Sequence, residues 1–307
     1  MQRTPIVIDC DPGQDDAIAL FLALASPEAL DVGAIVTVAG NVGLARTTAN
    51  ALTIRAAAGR ADVPVHAGCP RPILAPPPSA AHVHGESGID GADLPEVVAQ
   101  PDPLHGVDAL IARARAGDGD LTVVALGPLT NLALAIVKAP DILSRIREIA
   151  IMGGAMAGGN VTPVAEFNIH ADPEAAAVVF NAGAPIALFG LDVTHQVVAT
   201  EARVAAIAAI DTVAARAVAG MLRRHLVGPE DDAEGAFLHD PCVIAYLLRP
   251  DLFTLSPMTV TIETASPLTR GQTVVERRPE GVANARVATA VDADGFFALL
   301  TERLARL

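Results

Sequence analysis

Lysine is nearly missing from this chain: 21 of its 307 residues are basic, only Lys138 among them is a lysine, and 35 acidic residues outnumber them. Folds that handle phosphate commonly rely on a lysine, so that chemistry starts at a disadvantage. The formal net charge of -14 argues against a nucleic-acid or anionic-membrane partner, because an excess of Lys and Arg does that binding. Cysteine is scarce too. Cys10, Cys69 and Cys242 are too few and too scattered for a disulfide framework, and no two form a C-x-x-C metal pair. A reducing cytoplasm is the expected compartment. No apolar stretch of signal-peptide length precedes the first strand-like run, and none elsewhere is long enough to span a bilayer. The expectation is a soluble protein.

Apolar residues, by contrast, are abundant at 51%, enough for a large core. Short β-branched runs (residues 6–9, 32–39 and 121–126) alternate with alanine-rich helical patterns, and two further runs follow at 146–152 and 185–190. Continuous apolar strands bracketed by helices predict an open, mostly parallel, Rossmann-like α/β sheet with helices on both faces. No repeat or linker divides the chain, so a single domain over 1–307 is expected. The tail reads as strands MTVTIE, QTVVE and ARVATAV and a closing helix. Two connections, 68–104 and about 225–238, exceed the usual length; loops that long inside a compact domain are usually either functional lids or disordered, and these are expected to be active-site loops. In such a sheet ligands collect at the carboxyl ends of the strands.

The first of those ends carries Asp9, Asp11, Asp15 and Asp16 within eight residues. So much negative charge at a partly buried site costs several kcal/mol unless something positive or several donors face it. A calcium-loop pattern starting at Asp9 fails, with Gln14 where its glycine belongs and Leu20 where its glutamate belongs. Asp9-Cys10-Asp11 fits the D-x-D of magnesium phosphoryl-transfer enzymes, but Lys138 lies inside a helical pattern, away from that role. Neither G-x-x-x-x-G-K-[ST] nor G-x-G-x-x-G after a strand occurs. Two readings stand level: Asp15 and Asp16 cap the following helix, or the carboxylates converge on a hard divalent cation.

The segment D-C-D-P-G-Q-D-D-A, Asp9 to Ala17, closely resembles the aspartate signature of nucleoside hydrolases, the inosine-uridine type ribohydrolases. The resemblance continues in order through TVAGNV (37–42), HGESGIDG (84–91), ALGPLTNLALA (125–135), MGG (152–154), NVTPVAEFNIHADPEAA (160–176), LDVTH (191–195), HDP (239–241) and TRGQTVVE (269–276). It implies an open α/β sheet, a bound Ca2+ and hydrolysis of a ribonucleoside to ribose and free base, by a homo-oligomer (tetramer or dimer). Carried over by motif, Asp11, Asp16, the carbonyl of Leu126 and Asp240 would hold the calcium. Asp11 would also be the general base for a water. Asp15 and Asn41 would bind the 2'-hydroxyl side of the ribose, and Asn160, Glu166 and Asn168 its 3'- and 5'-hydroxyls. His84 would lie near the ribose or base, and His239 would be the candidate acid for the leaving base. Asp9 is left to support the turn.

Blander roles compete at several of these positions. His239-Asp240-Pro241 also reads as a helix start, with Asp240 as cap and Pro241 at the first helical position. His84 could pair with His82 on zinc, though no further ligands are evident. His195 reads as structural, and Cys242 as a buried small residue rather than a nucleophile. Glu166 and Asn168, two apart, share a face only if their segment is extended. Cys10 stands where the signature usually has threonine, at the expected loss of a hydroxyl that could orient the aspartates. Purine-selective members of the family stack the base between tryptophans, and this chain has none; a pyrimidine-preferring or broad type fits better, with His225 and Phe237 offered for base contacts. The rivals are a magnesium phosphohydrolase and a catalytically silent nucleoside or ribose binder.

Overall fold

The computed structural model describes residues 3–76, 85–95, 97–226, 235–276, 278 and 281–307. Its first strand, β1 (Thr4–Cys10), shows how the core is built. Ile6 and Ile8 point into one apolar layer and Val7 into the other, because successive side chains of a strand face opposite ways. A strand covered on both sides must be apolar on both, which accounts for the unbroken runs in the sequence.

The strands are β2 (Leu30–Thr37), β3 (Val65–Ala67), β4 (Leu121–Ala125), β5 (Ile146–Met152), β6 (Ile186–Phe189), β7 (Val198–Thr200), β8 (Gly235–Phe237), β9 (Phe253–Ile262), β10 (Thr273–Glu276) and β11 (Ala285–Val291). Nine of them form one sheet in the order β10-β9-β11-β6-β5-β4-β1-β2-β3. It is parallel from β3 to β11, while β9 runs antiparallel to both β11 and β10. One face is covered by α1 (Gln14–Leu24), α2 (Leu44–Ala57), α9 (Val213–Leu226), α10 (Pro241–Leu248) and α11 (Ala293–Leu304). The other is covered by α3 (Gly106–Ala116), α4 (Thr130–Lys138) and α6 (Pro173–Phe180). Shorter helices α5 (Phe167–Ala171), α7 (Leu191–Thr194) and α8 (Glu201–Ala208) lie in the connections.

The mostly parallel α/β sheet agrees with the expectation. Three features are additions: β3 extends the sheet beyond β2, β9 begins at Phe253, five residues before the MTVTIE pattern, and β7 pairs with β8 as a separate two-stranded ribbon. The winding reverses at β1, which lies between β2 and β4. A crevice opens at the carboxyl ends of strands at such a point. Among the described residues no helix is long and apolar enough to cross a membrane.

Candidate active site

At the end of β1 the Pro12-Gly13 turn feeds α1, and Asp16 holds that turn together. Its Oδ1 accepts from the Asp11 N–H at 3.1 Å and its Oδ2 from the Gly13 N–H at 3.1 Å, so Asp16 caps its own helix. Asn41, after β2, ties the same groups from the side. Its backbone N–H donates to Asp11 Oδ2 at 2.6 Å, and its amide donates to the Asp11 carbonyl and to Asp16 Oδ2, each at 3.1 Å. Asp15 turns toward the far end of the chain, where its Oδ2 accepts from the N–H groups of His239 (2.7 Å) and Asp240 (2.9 Å). Asp9 does not support the turn. It accepts at 2.8 Å from Asn131, which also donates to the Thr37 carbonyl and accepts from the Cys69 N–H.

Asp240 occupies the N-cap position of α10 with Pro241 following, yet its side chain makes no cap bond. It closes on Asp16 instead, carboxyl to carboxyl. Five carboxylates thus converge, and among the described ion pairs none links any of them to an arginine or lysine. Burial pushes Asp9 and Asp15 up to about 7 and Asp16 to about 6. Burial, joined by the charge of Asp16, takes Asp11 and Asp240 well above the usual carboxylate range. Asp9 Oδ2, Asp11 Oδ1 and Asp15 Oδ1 are buried without a hydrogen-bond partner.

Unpartnered buried oxygens, all hard donors, fit a hard divalent cation. The slot around Asp11 supports this, since a Cβ at Gly40 or at Gly127 would collide with its carboxylate. Among the described residues, however, no three His, Cys, Asp or Glu side chains stand at the spacing of a ready metal cage.

Leu126 follows β4, and its carbonyl accepts from Asn168 Nδ2 at 2.7 Å; the same amide reaches the Met152 carbonyl at 3.2 Å. Glu166 is the N-cap of α5. Its two oxygens accept from the N–H groups of Asn168 (2.9 Å), Gly154 (2.8 Å) and Ile169 (3.2 Å), and burial pushes it up to about 7. The pair therefore meets without an extended segment: Glu166 binds the backbone of Asn168 at the start of a helix. Asn160 is exposed at the rim and accepts from the Phe167 N–H at 2.9 Å.

On the opposite side, His239 Nδ1 lies 2.8 Å from the Thr194 hydroxyl. His195, which the sequence suggested was structural, is exposed and stacks on Phe237 with centroids 4.3 Å apart, edge-on to His239 at 5.6 Å. Cys242 is buried and donates to the Leu238 carbonyl at 3.2 Å. Cys10 packs in the core and points its thiol at the Val36 carbonyl, 3.7 Å away; burial and the charges of Asp16, Asp9, Asp11 and Asp240 push that thiol up. Lys138 is exposed on α4 and paired with Asp108 at 2.5 Å. His82, His84 and most of the 225–238 loop, with the side chain of His225, lie outside the described residues. Asn131 and Thr194 were missed as individual residues, although both sit in motifs at strand ends.

The family model described as inosine-uridine preferring nucleoside hydrolase matches residues 6–298. A pyrimidine-specific ribonucleoside hydrolase, RihA, of Photobacterium profundum is 44% identical over 306 residues, 98% of each chain. A solved plant nucleoside hydrolase superposes with a TM-score of 0.91 at 34% identity, over 99% of each chain. A purine-preferring ribonucleoside hydrolase from Gardnerella vaginalis superposes with a TM-score of 0.90 at 32% identity, over 98% of each.

Proposed function

This chain belongs to the inosine-uridine preferring nucleoside hydrolase family and is a ribonucleoside hydrolase, and we propose that it acts on pyrimidine or mixed ribonucleosides with Ca2+ as cofactor. One observation carries the proposal: five converging carboxylates with three unpartnered buried oxygens at the point where the sheet reverses. Asp11, Asp16, Asp240 and the Leu126 carbonyl would hold the ion. Bound there, Ca2+ supplies positive charge that binds ribose hydroxyls and eases ionisation of a nearby water.

Asn41 holds one oxygen of Asp11, which leaves Oδ1 as the one to accept the proton of the attacking water. Burial makes that carboxylate a stronger base than a solvated one. Asp15 divides likewise: Oδ2 anchors the backbone of 239 and 240, and Oδ1 is left for the 2'-hydroxyl, to which Asn41 is assigned as well. Asn160, Glu166 and Asn168 are assigned to the 3'- and 5'-hydroxyls, and His84 to the ribose or base. The oxocarbenium-like ribose that forms as the bond breaks is stabilised by the carboxylates around it. His239 donates to the departing base, which leaves more easily when hydrogen-bonded.

The pyrimidine preference draws support from the RihA relative and from the lack of tryptophan. Against the magnesium phosphohydrolase, Lys138 is occupied on the surface; against the silent binder, the candidate base has a free oxygen. The three cysteines are free and buried, which suits the cytoplasm. Leu134 and Val137, exposed on α4, suit a homo-oligomer (tetramer or dimer). The test is to incubate the protein with uridine, cytidine, inosine and adenosine, with and without a calcium chelator, and measure reducing sugar. Ribose from the pyrimidine nucleosides, lost on chelation, is the expected result. No ribose from any of the four would overturn the reading on common substrates, and phosphate released from nucleotides without free base would favour the phosphohydrolase.

A further inference from the structure

We propose that Thr194 is a positioning residue that holds the His239 imidazole with its Nε2 turned to the departing base; the inference rests on the assignment of His239 to that base. Thr194 ends α7, the single turn that follows β6, so it is anchored at the carboxyl end of a central strand. Its side chain is fully buried, and its hydroxyl lies 2.8 Å from His239 Nδ1. A β-branched side chain has few permitted rotamers, so that hydroxyl is a fixed point. Imidazole, by contrast, turns about a broad, roughly two-fold torsion whose two wells exchange the positions of its nitrogens. A bond at Nδ1 selects one of them.

Further contacts hold His239 from its backbone and from one edge of its ring. Its backbone N–H donates to Asp15 at 2.7 Å, and its ring stands edge-on to His195, which is itself stacked on Phe237. The chemistry of the partner matters as well. In a Ser-His-Asp triad the orienting group is a carboxylate, which also stabilises the imidazolium. A hydroxyl orients without adding charge, beside a site that already gathers five carboxylates. Its oxygen can accept from Nδ1–H whether or not Nε2 is engaged with the base, so donation to the base requires no rearrangement on the Thr194 side.

The test compares Thr194→Val, Thr194→Ser, His239→Ala and Thr194→Val/His239→Ala on uridine and on nitrophenyl riboside, whose leaving group needs no hydrogen bond. Thr194→Val is expected to lower kcat on uridine roughly tenfold, part of what a positioned acid contributes, and to leave nitrophenyl riboside within about threefold of the parent. Thr194→Ser should restore uridine turnover to within about threefold, and the double variant should be no slower than His239→Ala, as for groups that act as a unit. Equal losses on both substrates from Thr194→Val, or losses that add to those of His239→Ala, would overturn the inference. If His239→Ala is selective for uridine and Thr194→Val is not, only the role of Thr194 fails. If His239→Ala slows both substrates alike, the assignment of His239 fails and takes Thr194 with it.

Discussion

Asp141 and Asp11 are the same side chain in opposite settings. Asp141 lies on the surface, where Arg115 grips it with two bonds of 2.8 Å and holds it below the usual carboxylate range. Asp62 with Arg60 and Asp251 with Arg249 repeat the arrangement. At the carboxyl end of β1 no arginine among the described residues pairs with the aspartates, and burial drives Asp11 and its neighbours upward. The chain has 35 acidic residues against 21 basic ones, but shortage of cations does not explain the contrast, since exposed aspartates that need no partner have one. The contrast is what the proposed cation would resolve: among the described residues no ion pair reaches the inner cluster.

The sharpest way to break this comparison is to remove an inner carboxylate. Asp11→Ala is expected to lower turnover of uridine by about 10³-fold or more, because base and ion ligand go together; retention of a tenth of the activity would contradict its role. Next comes His239→Ala, expected to cost about 10²-fold on uridine and far less on nitrophenyl riboside. Equal losses in steady-state kinetics would take His239 out of the acid role.

Stability should follow the same division. Asp9 and Asp15, at about 7 in the folded chain, bind protons that the unfolded chain has released above about pH 4. Their contribution is therefore favourable at low pH and is lost as pH rises through about 7. Chelator-treated protein should melt at a lower temperature at pH 8 than at pH 5.5. Ca2+ at about 100 times its dissociation constant should add about 2.7 kcal/mol at pH 8 and flatten the profile. A melting temperature indifferent to Ca2+ at pH 8 would count against the ion site. The smallest effect belongs outside: Arg115→Ala should leave both kcat and the melting temperature unchanged within error, and a large loss there would erase the distinction between the two sets of acids.

Much of the fold was legible because buried parallel strands write themselves as largely apolar runs, as residues 121–126 and 149–152 do. β3, β7 and β8, three residues each, are too short for any periodicity to register, and the antiparallel course of β9 depends on pairing partners far along the chain. In the site, the clustering of Asp9 to Asp16 needed no structure. The roles inside it did: Asp15 is anchored by backbone N–H groups 224 and 225 positions away, and Asp9 by Asn131 at a separation of 122. Local spacing carries no trace of such bonds. Thr194 escaped notice because a threonine at a helix end is ordinary in sequence, and only the His239 ring beside it gives its hydroxyl a task.

The central claim, that the inner carboxylates await a cation, is tested most directly by titrating Ca2+ into chelator-stripped protein by calorimetry at pH 7 in two buffers of different ionisation enthalpy. The account predicts one ion bound per chain with release of protons, because the carboxyl groups assigned to it are held above the usual range by burial and must ionise to bind it, and loss of that binding in Asp11→Ala. No binding, or binding that survives Asp11→Ala with no proton release, would contradict it.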